Sequence, residues 1–125
     1  LWMVLRHFGA DGMRRRLAEH IRLAALFASW VDDSEMFERL APVPFSVVCF
    51  RARPLQSDHD ETALDDLNVQ VLDGVNATGE VFLSHTRLDG RFALRLAVGH
   101  IRTTERHVAR AWTLLGEQLA THLQA

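Results

Sequence analysis

Apolar side chains recur at three- and four-residue intervals in some stretches of the chain and alternate in others, and the two periods separate helices from strands. Leu1 to Phe8 reads as a short helix ending near Gly9. Asp11 then serves as a plausible N-cap for a long helix reaching about Val31. Met13, Leu17, Ile21, Ala24, Ala28 and Val31 form one stripe on that helix, and Leu23, Phe27 and Trp30 widen it to roughly half the circumference. A helix resting on a small sheet needs a stripe only about 100° wide. The surplus is therefore expected to meet a second helix or a neighbouring domain.

Met36 to Ala41 reads as a short edge strand, with Pro42 and Pro44 interrupting further pairing. Phe45 to Arg53 alternates, with Phe45, Val47 and Cys49 on one face and Ser46, Val48 and Phe50 on the other, and Pro54 ends it. Beyond a polar loop, Asp58 and Glu61 have the spacing of a capping box. Leu64, Leu67, Val71, Leu72 and Val75 continue as a helical stripe, and Gly79 suits its end. Two alternating segments, 81–88 and 91–98, flank Asp89-Gly90, the pair that favours a type I′ hairpin turn. Thr103 or Thr104 caps a last helix whose stripe is Val108, Trp112, Leu115, Leu119 and Leu123. These elements predict an α+β fold: a four-stranded, mostly antiparallel sheet with helices packed on one face.

Composition narrows the function classes. With 125 residues, 48% hydrophobic and 24% charged, the chain is ordinary globular material of one-domain size. No run of 18 apolar residues predicts a membrane span, and no leading stretch reads as a secretory signal. A single cysteine, Cys49, forms no internal disulfide, so a reducing, cytoplasmic setting is expected. Fourteen basic residues stand against sixteen acidic ones, which argues against a nucleic-acid partner. All fourteen are arginines, so no lysine here can form a Schiff base or bind phosphate in a Walker A loop. Arg14-Arg15-Arg16 cannot all face inward and reads first as a solvated helix face, with phosphate or nucleic-acid contact as the alternative.

Motifs for dinucleotide, nucleotide, zinc-protease and serine-hydrolase chemistry are absent. None of His7, His20, His59, His85, His100, His107 and His122 pairs with a second His or a Cys at zinc-ligand spacing, and each reads as a surface or locally bonded residue. Cys49 reads as a buried, inert thiol. Asp32-Asp33 and Asp65-Asp66 are sequence neighbours on or near helix ends and do not face each other as acid–base dyads. No metal site and no self-contained active site is expected. The apolar opening, Leu1-Trp2-Met3-Val4-Leu5, suggests a piece of a longer protein.

Several segments, in order along the chain, resemble one known family. They are Leu1 through Gly12, Val47-Val48-Cys49-Phe50-Arg51, Leu67-Asn68, Asn76-Ala77-Thr78-Gly79 and Val81-Phe82-Leu83-Ser84-His85-Thr86. Leu88 through Arg95, Thr103-Thr104, His107-Val108 and Ala111-Trp112 complete the set. Together they resemble the C-terminal domain of the pyridoxal-phosphate-dependent group II amino-acid decarboxylases, the aromatic-L-amino-acid decarboxylases most of all. The resemblance implies the small domain of a fold-type I enzyme, a cytoplasmic homodimer. Residues 1–10 would be a junction helix from a missing large domain, and residues 11–125 the small domain. The large domain would carry the Schiff-base lysine and hold pyridoxal 5'-phosphate, none being expected on this chain alone.

No catalytic or cofactor-binding residue is carried over. His7 and Phe8, at the junction, are the candidates for the rim of a substrate pocket. The helix around Leu23, Phe27 and Trp30 is expected to dock the large domain, leaving the chain by itself to self-associate or expose an apolar patch. Arg95 is expected in a buried ion pair. The alternative is a stand-alone α+β interaction or regulatory module without catalysis.

Overall fold

A computed structural model describes residues 1–55, 60–100 and 102–124. Both Asp58, half of the expected capping box, and His59 lie outside the described residues. The first helix, α1, spans Trp2–Asp33 and is broken at Gly9, whose φ of 73° and ψ of 165° are not helical. Only glycine takes that geometry without strain, so the expected end of the first helical segment becomes an elbow. Strands β1 (Phe37–Arg39) and β2 (Val47–Ala52) follow, then α2 (Glu61–Ala77), β3 (Ser84–Leu88), β4 (Arg91–Ala97) and α3 (Glu105–Gln124). The sheet is antiparallel throughout, in the order β1-β2-β4-β3. Asp89 (φ 51°) and Gly90 (φ 79°) form the turn between β3 and β4, as their sequence predicts.

Strand alternation decides which side of the sheet the helices cover. Val48, Phe50 and Ala52 of β2 and Phe92, Leu94 and Leu96 of β4 are buried beneath the helices. In the centre, Phe27 of α1 meets Phe50 at 5.1 Å and Trp112 of α3 at 5.6 Å, both edge to face. Leu23 and Phe27 are fully buried, and Trp30 packs against the same core. The wide stripe of α1 is thus consumed inside the domain, because α3 lies across α1 and α2 and needs a surface of its own to rest on. This overturns the expectation that Leu23, Phe27 and Trp30 form the docking face. The side of α1 that stays exposed carries Leu17 and Ile21, and the helical segment before Gly9 exposes Leu1, Trp2 and Met3.

Asparagines on α2 tie it to the strand ends. Ala52 of β2 has Phe37 of β1 on one side, but on its other side the pairing with β4 has ended at Phe50. The Asn68 carboxamide takes that place: Oδ1 accepts from Ala52 N at 2.7 Å and Nδ2 donates to Ala52 O at 3.0 Å. Asn76 does the same for Leu83, at 2.8 and 2.9 Å. Asp65 accepts from Phe92 N at 3.0 Å, so one member of the Asp65-Asp66 pair is a backbone acceptor.

The start of α2 differs from expectation. Asp60 is its N-cap, accepting from Ala63 N at 2.7 Å. Glu61 then lies in the first turn, where its carboxylate receives Arg51 Nη1 at 2.7 Å. Arg51 Nε donates to Glu38 Oε1 at 2.6 Å, so one fully buried guanidinium joins β1, β2 and α2. Hydrogen bonding from Arg51 holds the Glu61 carboxyl below its usual pKa, against the opposing effect of burial. A depressed carboxylate pKa adds stability above its unfolded value, and that stability is lost as pH falls through the folded value. Between about pH 5 and pH 3 the melting temperature is therefore expected to fall further for the parent chain than for Glu61→Gln. Parallel curves would contradict this role.

The last helix is capped at Thr104, one of the two residues anticipated. His107, at the third helical position, accepts from Thr104 N through Nδ1 at 3.0 Å. Histidine here takes the place that Glu or Gln holds in a capping box.

Candidate functional site

The break at Gly9 separates the first helical segment from the body of α1. His7 and Phe8 lie just before the break, their rings edge to face at 4.5 Å. About two turns into the next segment, the Arg16 guanidinium stacks over the Phe8 ring at 4.2 Å. These residues line a cavity of about 360 Å³ with Arg15, Glu19 and His20. Both residues expected at a pocket rim, His7 and Phe8, are among those that line this depression. The depression is basic, because the Glu19 carboxylate is already held by Arg22 at 2.7 and 2.8 Å, which keeps its pKa below the usual range.

The other sequence candidates do not gather there. His85 is exposed on β3 and stacks on Phe92 at 5.1 Å. His100 accepts from Arg102 N at 3.1 Å, a local bond. Among the described residues, no three His, Cys, Asp or Glu side chains are grouped so as to hold a metal. His20 departs from the surface reading, being only 8% exposed.

The uncovered face of the sheet holds a second set of residues. Cys49 of β2 is half-buried there and not sealed in the core, and it sits opposite Arg95 of β4 in the strand register. Arg95 in turn lies opposite Ser84 of β3. Among the described residues Arg95 makes no ion pair, which overturns the expected buried one. The buried pair belongs to Arg51. The reason is positional: Arg51 sits where β1 and the start of α2 both bring a carboxylate, whereas Arg95 sits mid-sheet between Cys49 and Ser84.

No protein-family model matches the chain. It is 47% identical to tryptophan decarboxylase 2 of Oryza sativa subsp. japonica over 94% of its own length and 23% of that protein's. It is 42% identical to tyrosine decarboxylase 2 of Arabidopsis thaliana, over 92% of its length and 21% of the relative's. The chain thus spans about a quarter of the length of the curated relatives it matches. Among solved structures, it superposes on the Oryza sativa tryptophan decarboxylase crystallised with pyridoxal phosphate and tryptamine. There the TM-score is 0.90 with 32% identity, covering 97% of this chain and 26% of that one.

Proposed function

We infer, for a chain that is a homologue of the C-terminal domain of the group II pyridoxal-phosphate-dependent amino-acid decarboxylases, that it serves as the small domain of such an enzyme, a carboxy-lyase releasing carbon dioxide from an aromatic L-amino acid. The observation that carries this reading is the agreement of sequence and fold along nearly the whole chain with enzymes named for that reaction. Residues 1–10 form the junction with a large domain, and residues 11–125 the small domain. The parent protein works as a cytoplasmic homodimer.

The residues present do not fit an anchoring site for the cofactor, since the chain contains no lysine. When bound, pyridoxal phosphate provides an electron sink for the pair left behind by departing carbon dioxide. The large domain holds that group. This chain's own task is to shape one wall of the cleft. His7 and Phe8 sit at its rim, where the Arg16 stack fixes the Phe8 ring and where side-chain selection takes place. A wall of this kind acts by orienting the substrate and excluding water, without donating a reacting group.

The docking surface is the open sheet face and not the buried stripe of α1. Its middle is lined by half-buried Val47, Cys49, Ser84 and Thr86 around an Arg95 that has no acidic partner among the described residues. The occupant is the large domain of the same protein, since the relatives are about four times as long as this chain. Exposed Leu1, Trp2 and Met3 extend the same requirement for cover.

By itself, the purified chain given pyridoxal phosphate and aromatic amino acids is expected to release no carbon dioxide and to show no bound-cofactor absorbance. It is also expected to bind a hydrophobic dye or to self-associate on a sizing column. Carbon dioxide from the pure chain would overturn the assignment. A monomer that binds no dye would remove the argument for a covered surface.

A further inference from the structure

The cavity at the Gly9 elbow has a chemistry that rim packing alone does not explain. His20 is 92% covered, as its 8% exposure states, yet makes no hydrogen bond among the described residues. No side-chain nitrogen or oxygen is both sealed and unpaired in the described structure. The imidazole nitrogens are therefore not sealed from solvent, and the side chain lines the cavity. Arg15 and Arg16, on the same wall, carry neither hydrogen bond nor ion pair among the described residues, in contrast to Arg14, whose Nη1 donates to Asp11 at 2.9 Å. Arg16 is fixed by its stack on Phe8, which occupies the face of the guanidinium and leaves its N–H edge unused. The one carboxylate in the wall, Glu19, is taken by Arg22. Two arginines, His7 and a His20 without a hydrogen bond among the described residues thus line about 360 Å³ of space, whose one carboxylate, Glu19, is held by Arg22 and also feels the charge of His20.

We propose that this elbow cavity binds an oxyanion, the carboxylate or phosphate group of a small molecule, with Arg16 and His20 as the principal donors and Arg15 and His7 at the mouth. Guanidinium groups suit this because their planar N–H pairs match two oxygens at once. Of the run Arg14-Arg15-Arg16, one member is a surface ion pair and two are left for the ligand. The proposal does not depend on the decarboxylase reading, and its test has no catalytic readout, so either can fail without the other.

The test titrates sodium phosphate and, separately, sodium acetate into the 125-residue chain at constant ionic strength, with chloride as the control. The imidazole resonances of His7 and His20 are followed by NMR. Saturable movement with either oxyanion and none with chloride is expected, together with weakening of about tenfold in Arg16→Gln. Tighter phosphate binding identifies a phosphorylated ligand, and tighter acetate binding a carboxylate. Arg15→Gln, at an exposed position where folding is not at stake, is expected to weaken binding by a smaller factor. If neither anion moves the resonances saturably, or if both variants bind as the parent does, the proposal is overturned.

Discussion

Replacing Asn68 with leucine is expected to destabilise the domain by about 4 kcal/mol, measured by chemical denaturation. The carboxamide pairs with both the N–H and the C=O of Ala52, at a point where β4 has moved out of reach. Leucine fills similar space and fits the apolar stripe of α2, so packing is nearly conserved. What is lost is the partner of two buried backbone groups, each worth roughly 1–3 kcal/mol when stranded without water. Asn68 is itself fully buried, so no solvent replaces it. Against a typical domain stability of about 5–15 kcal/mol, such a loss approaches unfolding. A change under about 1 kcal/mol would mean that the β2 end is held some other way.

Phe27→Ala is expected to cost about 3–5 kcal/mol in the chain by itself. The ring is fully buried between Phe50, Trp30 and Trp112, and truncation leaves a cavity that three rigid aromatic neighbours cannot close. The same experiment separates two roles for α1. A docking residue would leave the isolated chain unaffected and weaken only its union with a second domain. Leu17→Ala, on the exposed side of the helix, is the matched control and is expected within about 0.5 kcal/mol of the parent. Equal small effects at both positions would restore Phe27 to the surface.

The elements were largely written in the chain, because period and turn chemistry are local. Asp89-Gly90 specifies its turn through two positive φ values, and Gly9 marks the elbow for the same reason. The misread parts all depended on what lies across from a residue. The stripe of α1 gave the correct width, but a wheel cannot tell a second helix from a second domain, and α3 turned out to be the partner. Arg95 and Arg51 occupy similar alternating strand positions, and only the placement of Glu38 and Glu61 decides which arginine is buried in an ion pair.

Asn68 left a usable signal: it follows Leu64 by four residues and precedes Val71 by three, so it had to face inward, and an inward asparagine must find a backbone to bond. His20 left a comparable one, three residues before Leu23 and four before Ala24 on the buried side of α1. His7 and Phe8 could be singled out only through the family resemblance, since nothing in their spacing brings Arg16 over the Phe8 ring.

We propose that this chain completes a decarboxylase whose cofactor is held on another domain. The most direct test exchanges the matching segment of the Oryza sativa tryptophan decarboxylase for these 125 residues and measures carbon dioxide released from L-tryptophan in the presence of pyridoxal phosphate. Release by the hybrid, with none from the separate chain, is the expected result. A hybrid that folds and takes up the cofactor yet releases no carbon dioxide would contradict the account.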